Sequence, residues 1–281
     1  VEIGKYYGSI SDGTMRVVYN PNTSHQWQFF SAKNASITNQ FFMDTLGAPN
    51  PISAGNQLWF VKECFNALGI VGFFLFLLPF ACLLMKTPFF AGIQQEAPAP
   101  RPRPTDTKGK LVSAISLVLL AVIPGITVMP VFSKLAYGMI FTNAVANNST
   151  DFFPQPGPNA IVIWALVNGL AAVAIFALGY LIYGKKHGDG PDNWGVKTTW
   201  ANVGKSALLA ILVTGVAYGF VLLADLFFTV DFRFWSFAIR AAEGNILALV
   251  PHYLPFMLVF WLATSFMVNA SARTECKKEW H

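Results

Sequence analysis

One histidine has neighbours in the sequence that would let it act as a general base. His25 lies in the segment 23–27 (TSHQW), between a stretch with strand character and a stretch with helical character. A neutral imidazole accepts a proton near pH 7, and a loop between two regular elements can present it to a substrate. The chemistry that these residue types favour is therefore proton transfer.

The elements that must position His25 are predicted on either side of it. Residues 14–19 are rich in β-branched and aromatic side chains, which predicts a short strand. Ser31 fits the N-cap of a following helix with apolar residues at helical spacing, and Gly47 is expected to end that helix. His25 is therefore expected in a strand-to-helix loop.

This order of elements resembles the C-terminal edge of an α/β-hydrolase domain. The resemblance lies in residues 8–19, the loop 20–25 and the helix that runs to residues 47–51. The passage through residues 56–63 into an apolar run is similar to bacterial membrane-bound α/β hydrolases. In that family the catalytic histidine follows the last strand, so the resemblance implies that His25 is a general base acting on esters, amides or related acyl compounds.

The remainder of the triad that the resemblance implies is missing. The family places serine, acid and histidine in that chain order, with the serine in Gly-x-Ser-x-Gly, and no such motif occurs in the 281 residues. Asp12 precedes a glycine in a predicted turn, where aspartate usually bonds to its local backbone. The nucleophile, the acid and the oxyanion hole are therefore expected upstream of Val1, in a longer protein, and this chain is not expected to catalyse acyl transfer by itself.

The composition indicates a membrane protein. The chain is 54% hydrophobic and 12% charged, with a mean hydropathy of +0.48, whereas an ordinary soluble domain has about 25% charged residues. Too few polar groups remain to cover a soluble surface, and disorder is also excluded. The net charge of +5 is not arranged as a basic patch interleaved with aromatic residues, so the expected partner is the lipid bilayer and not nucleic acid.

Five apolar runs are long enough to cross a hydrocarbon core of about 30 Å. The sequence predicts an all-α polytopic membrane protein, with a small α/β segment over 1–64 and a helical membrane domain over 65–281. Residues 232–247 contain aromatic residues broken by Arg233 and Arg240, which predicts an interfacial helix or a re-entrant segment. The predicted spans are 66–85, 111–132, 160–183, 207–228 and 250–268.

Basic residues are concentrated in alternate connections. Twelve lie in residues 86–110, residues 184–206 and the C-terminal tail, against three in the opposite connections. Because basic loops stay cytoplasmic, the C-terminus is expected in the cytoplasm and residues 1–64 outside the cell membrane. The Pro- and Arg-rich stretch 94–105 is expected to be an extended spacer, with a partner-docking motif as the alternative.

A second candidate site lies near the outer ends of the last spans. Asp225 is the one formal charge within a predicted span, where a carboxylate needs a partner or a role. Pairing with an arginine and ion or proton translocation are both open roles. Asp231, Arg233 and His252 are predicted near the same interface, so the four residues form a hypothetical polar cluster.

No cofactor and no metal are expected. Cys64, Cys82 and Cys276 are too few and too scattered for a disulfide framework or a zinc site, and the four histidines lack i, i+4 pairing.

Two functions therefore stay open. The chain is either the membrane anchor of an α/β-hydrolase-like serine hydrolase or a non-enzymatic multispan subunit involved in transport or complex assembly. In both cases a missing N-terminal region or a partner chain would cover residues 1–64. Without such a cover, residues 1–50 are expected to be disordered or to rearrange against the bundle.

Overall fold

A computed structural model describes residues 1–48, 52–142, 148–235 and 237–274. Within these residues, five helices are long and apolar enough to cross a membrane. The protein is therefore an all-α polytopic membrane protein, as its composition predicts. The spanning segments are Trp59–Met85, Thr107–Ile140, Pro156–Lys186, Trp200–Phe228 and Ile246–Ser271.

The regular elements follow one another in a simple order along the described chain. The helices are α1 (Ala32–Leu46), α2 (Trp59–Met85), α3 (Pro88–Ala91), α4 (Thr107–Met129), α5 (Pro156–Ile182), α6 (Pro191–Trp194), α7 (Trp200–Phe228) and α8 (Ile246–Ala272). The strands β1 (Phe232–Phe234) and β2 (Phe237–Ile239) lie between α7 and α8. Short 3₁₀ turns cover His25–Phe30 and Gly184–Lys186, and a π-helical segment, Pro130–Ile140, continues α4.

Local signals account for where several helices begin and end. The Ser31 hydroxyl accepts a hydrogen bond from the Asn34 amide, and Gly47 ends α1 with a φ of 75°. Both ends of this helix are as the sequence predicts. Asp106 caps α4 in the same way, through the Gly109 amide at 3.1 Å. Pro130 has no N–H to donate. From this residue on, the backbone hydrogen bonds of the helix change from the α-helical to the π-helical pattern.

The chain forms two compact units. The first contains residues 1–91 and 205–241, and the second contains residues 92–204 and those from 242 on. In the second unit, α5 packs against both α4 and α8. A Cβ atom at Gly169 of α5 would lie 2.9 Å from the Phe260 Cα of α8, so the two backbones cross closely because residue 169 is glycine.

In the first unit, α2 carries the strands β1 and β2. The Phe232 ring of β1 lies directly over Gly69 of α2, where a Cβ atom would come within 2.5 Å of the ring. Phe74 of α2 stacks on Phe237 of β2 at a centroid distance of 6.3 Å. The strands are thus held by aromatic contacts against one face of a spanning helix.

The structure corrects the prediction of an interfacial helix over residues 232–247. Residues 232–234 and 237–239 instead form two antiparallel strands, in which Phe232 pairs with Ile239 and Phe234 with Phe237. Aromatic and β-branched residues favour strands, and alternation places Arg233 on the face opposite the two phenylalanines. Trp235, at a φ of 57°, provides the left-handed residue that the tight turn requires.

The strand predicted over residues 14–19 is replaced in the structure by an isolated β-bridge. Tyr7 and Arg16 exchange two backbone hydrogen bonds of 2.8 Å as an isolated bridge, and the Gly4 amide donates to the Val18 carbonyl. Neither segment is a regular strand. A two-stranded pair without a packed sheet around it is only marginally stable, which explains the short bridge.

Candidate functional site

His25 lies between an extended residue and a helix. Ser24 has φ −67° and ψ 155°, and His25 begins the 3₁₀ turn that leads towards α1. The side chain is exposed, and no described residue hydrogen-bonds to its imidazole. Both ring nitrogens are therefore available to groups from outside the described residues.

The His25 loop is held by contacts that are distant in the sequence. The Trp235 indole N–H donates to the Gln26 carbonyl at 2.6 Å, and the Trp235 ring stacks on Trp27 at 5.3 Å. The Asn34 amide group donates to the Gln28 carbonyl at 3.2 Å. The hairpin between α7 and α8 and the start of α1 thus fix the backbone that follows the histidine.

A tyrosine network joins the preceding segment to α1. The Tyr6 hydroxyl donates to Asp44 at 2.8 Å and accepts a hydrogen bond from the Tyr19 hydroxyl at 3.0 Å. The hydrogen bonds with Tyr19 and Asp44 raise the pKa of Tyr6. The Tyr6 ring also stacks on Phe41 of α1. Tyr6 is therefore a structural hydroxyl that stays protonated.

None of residues 1–48 is buried. Apolar side chains stay uncovered, including Phe29 at 79% exposure and Leu46 at 78%. Phe30 meets the Trp59 ring edge-on at 6.3 Å, and Trp27 contacts the hairpin. These ring contacts join the segment to α2 and to the hairpin.

Asp12 has the local role that its turn predicts. Its carboxylate accepts a hydrogen bond from the Ser11 hydroxyl at 3.1 Å, and Gly13 follows with a φ of 68°. Among the described residues, no carboxylate contacts the His25 imidazole. The acid that would orient the histidine is therefore not found in this part of the chain.

The second predicted site is only partly assembled. Asp231 accepts hydrogen bonds from Arg233, through Nε at 2.7 Å and through Nη2, and Arg240 Nε lies 3.8 Å away. The hydrogen bond from Arg233 lowers the pKa of Asp231, and the same bond raises the pKa of Arg233. These three residues form an ion-pair cluster at the base of the hairpin.

The other two members of that site are Asp225 and His252. Asp225 is exposed near the end of α7, and no described residue bonds to its carboxylate. His252 belongs to the second unit, where its ring stacks on Phe152 at 4.0 Å and its Nδ1 lies 2.7 Å from the Phe152 carbonyl. Within the first unit, no described contact joins Asp225 to Asp231.

Sequence reasoning missed an ion pair at the basic end of the second unit. Arg101 donates two hydrogen bonds to Asp189, at 2.9 Å and 2.6 Å, and the Trp194 indole donates to the same carboxylate at 2.7 Å. The Asp189 side chain is 7% exposed. The Arg101 amide also donates to the Arg273 carbonyl at 2.7 Å. The Pro- and Arg-rich stretch is thus anchored at Arg101.

A cavity of about 730 Å³ opens beside this ion pair. Its walls come from the Pro- and Arg-rich stretch, the facing sides of α4 and α5, and the end of α8. Asp106, at the start of α4, accepts hydrogen bonds from the Tyr183 hydroxyl and the Gly109 amide, which lower its pKa. Tyr183 stacks in turn on His187 at 3.8 Å.

Two buried asparagines of α5 were also missed. Asn168 donates to the Trp164 carbonyl at 2.8 Å and to the Thr127 hydroxyl at 3.2 Å. Asn159 is fully buried and accepts a hydrogen bond from the Tyr253 hydroxyl at 2.8 Å. The signal in the sequence was two amides nine residues apart in an otherwise apolar run. Both amides have partners, so they hold helices together and do not await a ligand.

Comparison of the chain with known protein families, curated proteins and solved structures finds no match. The described residues contain no group of three His, Cys, Asp or Glu side chains that could hold a metal ion. The function of the chain is therefore inferred from its own geometry.

Proposed function

We propose that the chain is the membrane-anchoring C-terminal portion of an α/β-hydrolase-like serine hydrolase. His25 is the general base for esters, amides or related acyl compounds, and the nucleophile and the acid come from residues outside this chain. The hydrolase region is extracytoplasmic together with residues 1–64, and the basic loops and the C-terminus are cytoplasmic, in agreement with the distribution of basic residues.

The observation that carries this proposal is an exposed histidine, without a described hydrogen-bond partner, on a segment that has no core of its own. Residues 1–48 contain no buried residue, and the exposed side chains of Phe29 and Leu46 are large and apolar. Exposed apolar surface of this kind is typical of a face that another part of a protein covers. A preceding hydrolase sheet is the cover that the order of elements around His25 supports.

The proposed chemistry needs both ring nitrogens of His25. One nitrogen takes the proton from the serine hydroxyl as the serine oxygen attacks the acyl carbon, and later gives that proton to the leaving group. The other nitrogen donates to a carboxylate that fixes the orientation of the ring. Neither nitrogen has a partner among the described residues, so the exposed ring can make both bonds.

The experiment is covalent labelling of the full-length protein in membranes with a fluorophosphonate probe. His25→Ala is expected to slow labelling of the serine by about a hundredfold or more, because the general base is lost. Gln28→Ala is the matched control, since Gln28 is exposed in the same turn and only its backbone carbonyl makes a described contact. Labelling of that variant is expected at the wild-type rate.

Two results would contradict the proposal. Equal labelling of wild type and His25→Ala would remove His25 from the triad. A full-length protein with no Gly-x-Ser-x-Gly upstream of Val1 and no labelled serine would favour the alternative, a non-enzymatic multispan subunit that uses residues 1–64 for docking in transport or complex assembly.

A further inference from the structure

The cavity of the second unit has a basic rim, which is formed by Arg103 and Lys110 with His187 beside them. Arg103, Lys110 and His187 line it, and no described residue forms an ion pair with Arg103 or Lys110. The Asp189 carboxylate is already occupied by Arg101 and Trp194. Arg103 and Lys110 therefore carry the positive charge of the rim, and Asp106, whose carboxylate interacts with Tyr183 and His187, lies between them in the sequence.

The rest of the cavity is an apolar cleft along two spanning helices. On α4 its lining includes Ser113, Leu117 and Leu120, which share one helical face with Lys110. Lys110 and Leu120 are ten positions apart, which corresponds to about 15 Å of helix, roughly half the hydrocarbon core of a bilayer. Phe176 on α5 and Met267 on α8 complete the apolar wall.

Anchoring of the Pro- and Arg-rich stretch keeps the rim in place. Arg101 is fixed by Asp189, by the carbonyl of Arg273 and by the Phe176 ring, which lies 5.0 Å from its guanidinium carbon. Prolines on both sides of Arg103 restrict the backbone between this anchor and the start of α4. Arg103 is thus held at the cavity mouth, so the stretch is more than a spacer.

We propose that this cavity binds an anionic phospholipid. The phosphate lies among Arg103, Lys110 and His187, and an acyl chain follows the apolar cleft between α4 and α5. Basic pockets between spanning helices at a cytoplasmic surface are a recognised form of lipid headgroup site. A soluble phosphate shares the headgroup chemistry, but it would leave the apolar cleft unused.

The experiment measures lipid binding to the purified full chain in dodecyl maltoside by native mass spectrometry. Phosphatidylglycerol is expected to bind about tenfold or more tightly than phosphatidylcholine, because basic residues favour anionic headgroups. Arg103→Ala combined with Lys110→Ala is expected to remove this preference. The matched control is Lys185→Ala combined with Lys186→Ala, which removes the same charge from exposed residues that do not line the cavity.

Two outcomes would overturn the proposal. If both double variants lose phosphatidylglycerol equally, the effect is one of net charge and the proposal fails. If glycerol phosphate displaces phosphatidylglycerol at equal concentration, the site is one for soluble phosphates and the lipid proposal is overturned. The proposal is supported if the Lys185 and Lys186 double variant still binds phosphatidylglycerol while the Arg103 and Lys110 double variant does not, and if circular dichroism shows that both variants are folded.

Discussion

At the scale of single residues, Asp189 shows how one carboxylate can organise a loop region. It accepts hydrogen bonds from Arg101 and from Trp194, and its side chain is 7% exposed. Removal of one partner from a shielded ion pair leaves the other charge without compensation, and this costs more than the pair contributes. Asp192 offers a contrast in the same region, since it pairs with Lys197 while its side chain is 81% exposed.

Asp189→Ala is therefore expected to lower the free energy of unfolding by about 3 kcal/mol, because Arg101 would lose its buried partner. Asp192→Ala is expected to change it by less than about 0.5 kcal/mol, because an exposed pair is screened by water. Equilibrium unfolding by sodium dodecyl sulfate in mixed micelles measures both values. Equal effects of the two substitutions would show that the ion pair of Arg101 does not stabilise the fold.

Residues within a few positions of one another could be predicted, and distant pairs could not. Ser31 and Gly47 were identified as the ends of α1 because capping depends on local backbone chemistry. Arg101 and Asp189 lie 88 positions apart, and nothing near either residue specifies the other. The role of His25 stays a prediction, because the groups that would act with it are not among the described residues.

At the scale of elements, α5 is the helix around which the second unit is built. The absence of a side chain at Gly169 lets the backbone of α5 approach the backbone of α8 at Phe260. Gly157 lies at the start of the same helix, where a Cβ atom would have no neighbouring atom within 4 Å. A side chain at residue 169 would therefore meet the α8 backbone, whereas a side chain at residue 157 would find open space.

Gly169→Ala is expected to destabilise the second unit by about 1–3 kcal/mol, because the added methyl group would overlap the α8 backbone at Phe260. Gly157→Ala should be neutral or slightly stabilising. Thermal unfolding in detergent, followed by circular dichroism, distinguishes the two variants. A Gly169→Ala protein as stable as wild type would mean that α5 and α8 are not packed as closely as the structure shows.

The hairpin β1–β2 shows why the segment after α7 was predicted wrongly. Aromatic residues with two arginines fit an interfacial helix as well as a strand over so short a run. The strand form depends on Gly69, which leaves space for the Phe232 ring, and on the left-handed backbone of Trp235. The contact between Gly69 and Phe232 joins residues far apart in the sequence, so the spacing of apolar residues within one segment cannot predict it.

At the scale of the whole molecule, composition predicted the architecture well. Five spans were expected from apolar runs, and five spanning helices occur in the described residues. The run lengths sufficed because a bilayer fixes how many apolar residues a helix needs. An odd number of spans agrees with the proposal that residues 1–64 and the C-terminus lie on opposite sides of the membrane.

The proposed orientation predicts which thiols are accessible. Cys64 is exposed near the start of α2. In a variant that keeps only this cysteine, a membrane-impermeant maleimide is expected to label intact cells. Lys185→Cys in a cysteine-free background is the control, because this exposed residue lies in a basic loop and is expected to react only after permeabilisation. The reverse pattern would invert the proposed topology.

The contact between Trp235 and the His25 loop also constrains the timing of biosynthesis. The two bonded residues, Gln26 and Trp235, are separated by 209 positions. At a synthesis rate of about 5–20 residues per second, the loop waits roughly 10–40 s before the residue that holds it has been made. Until Trp235, which follows the fourth span, has been made, residues 1–48 depend on α1 and on any external cover. A chaperone or a previously folded domain therefore has its greatest effect on this protein during that interval.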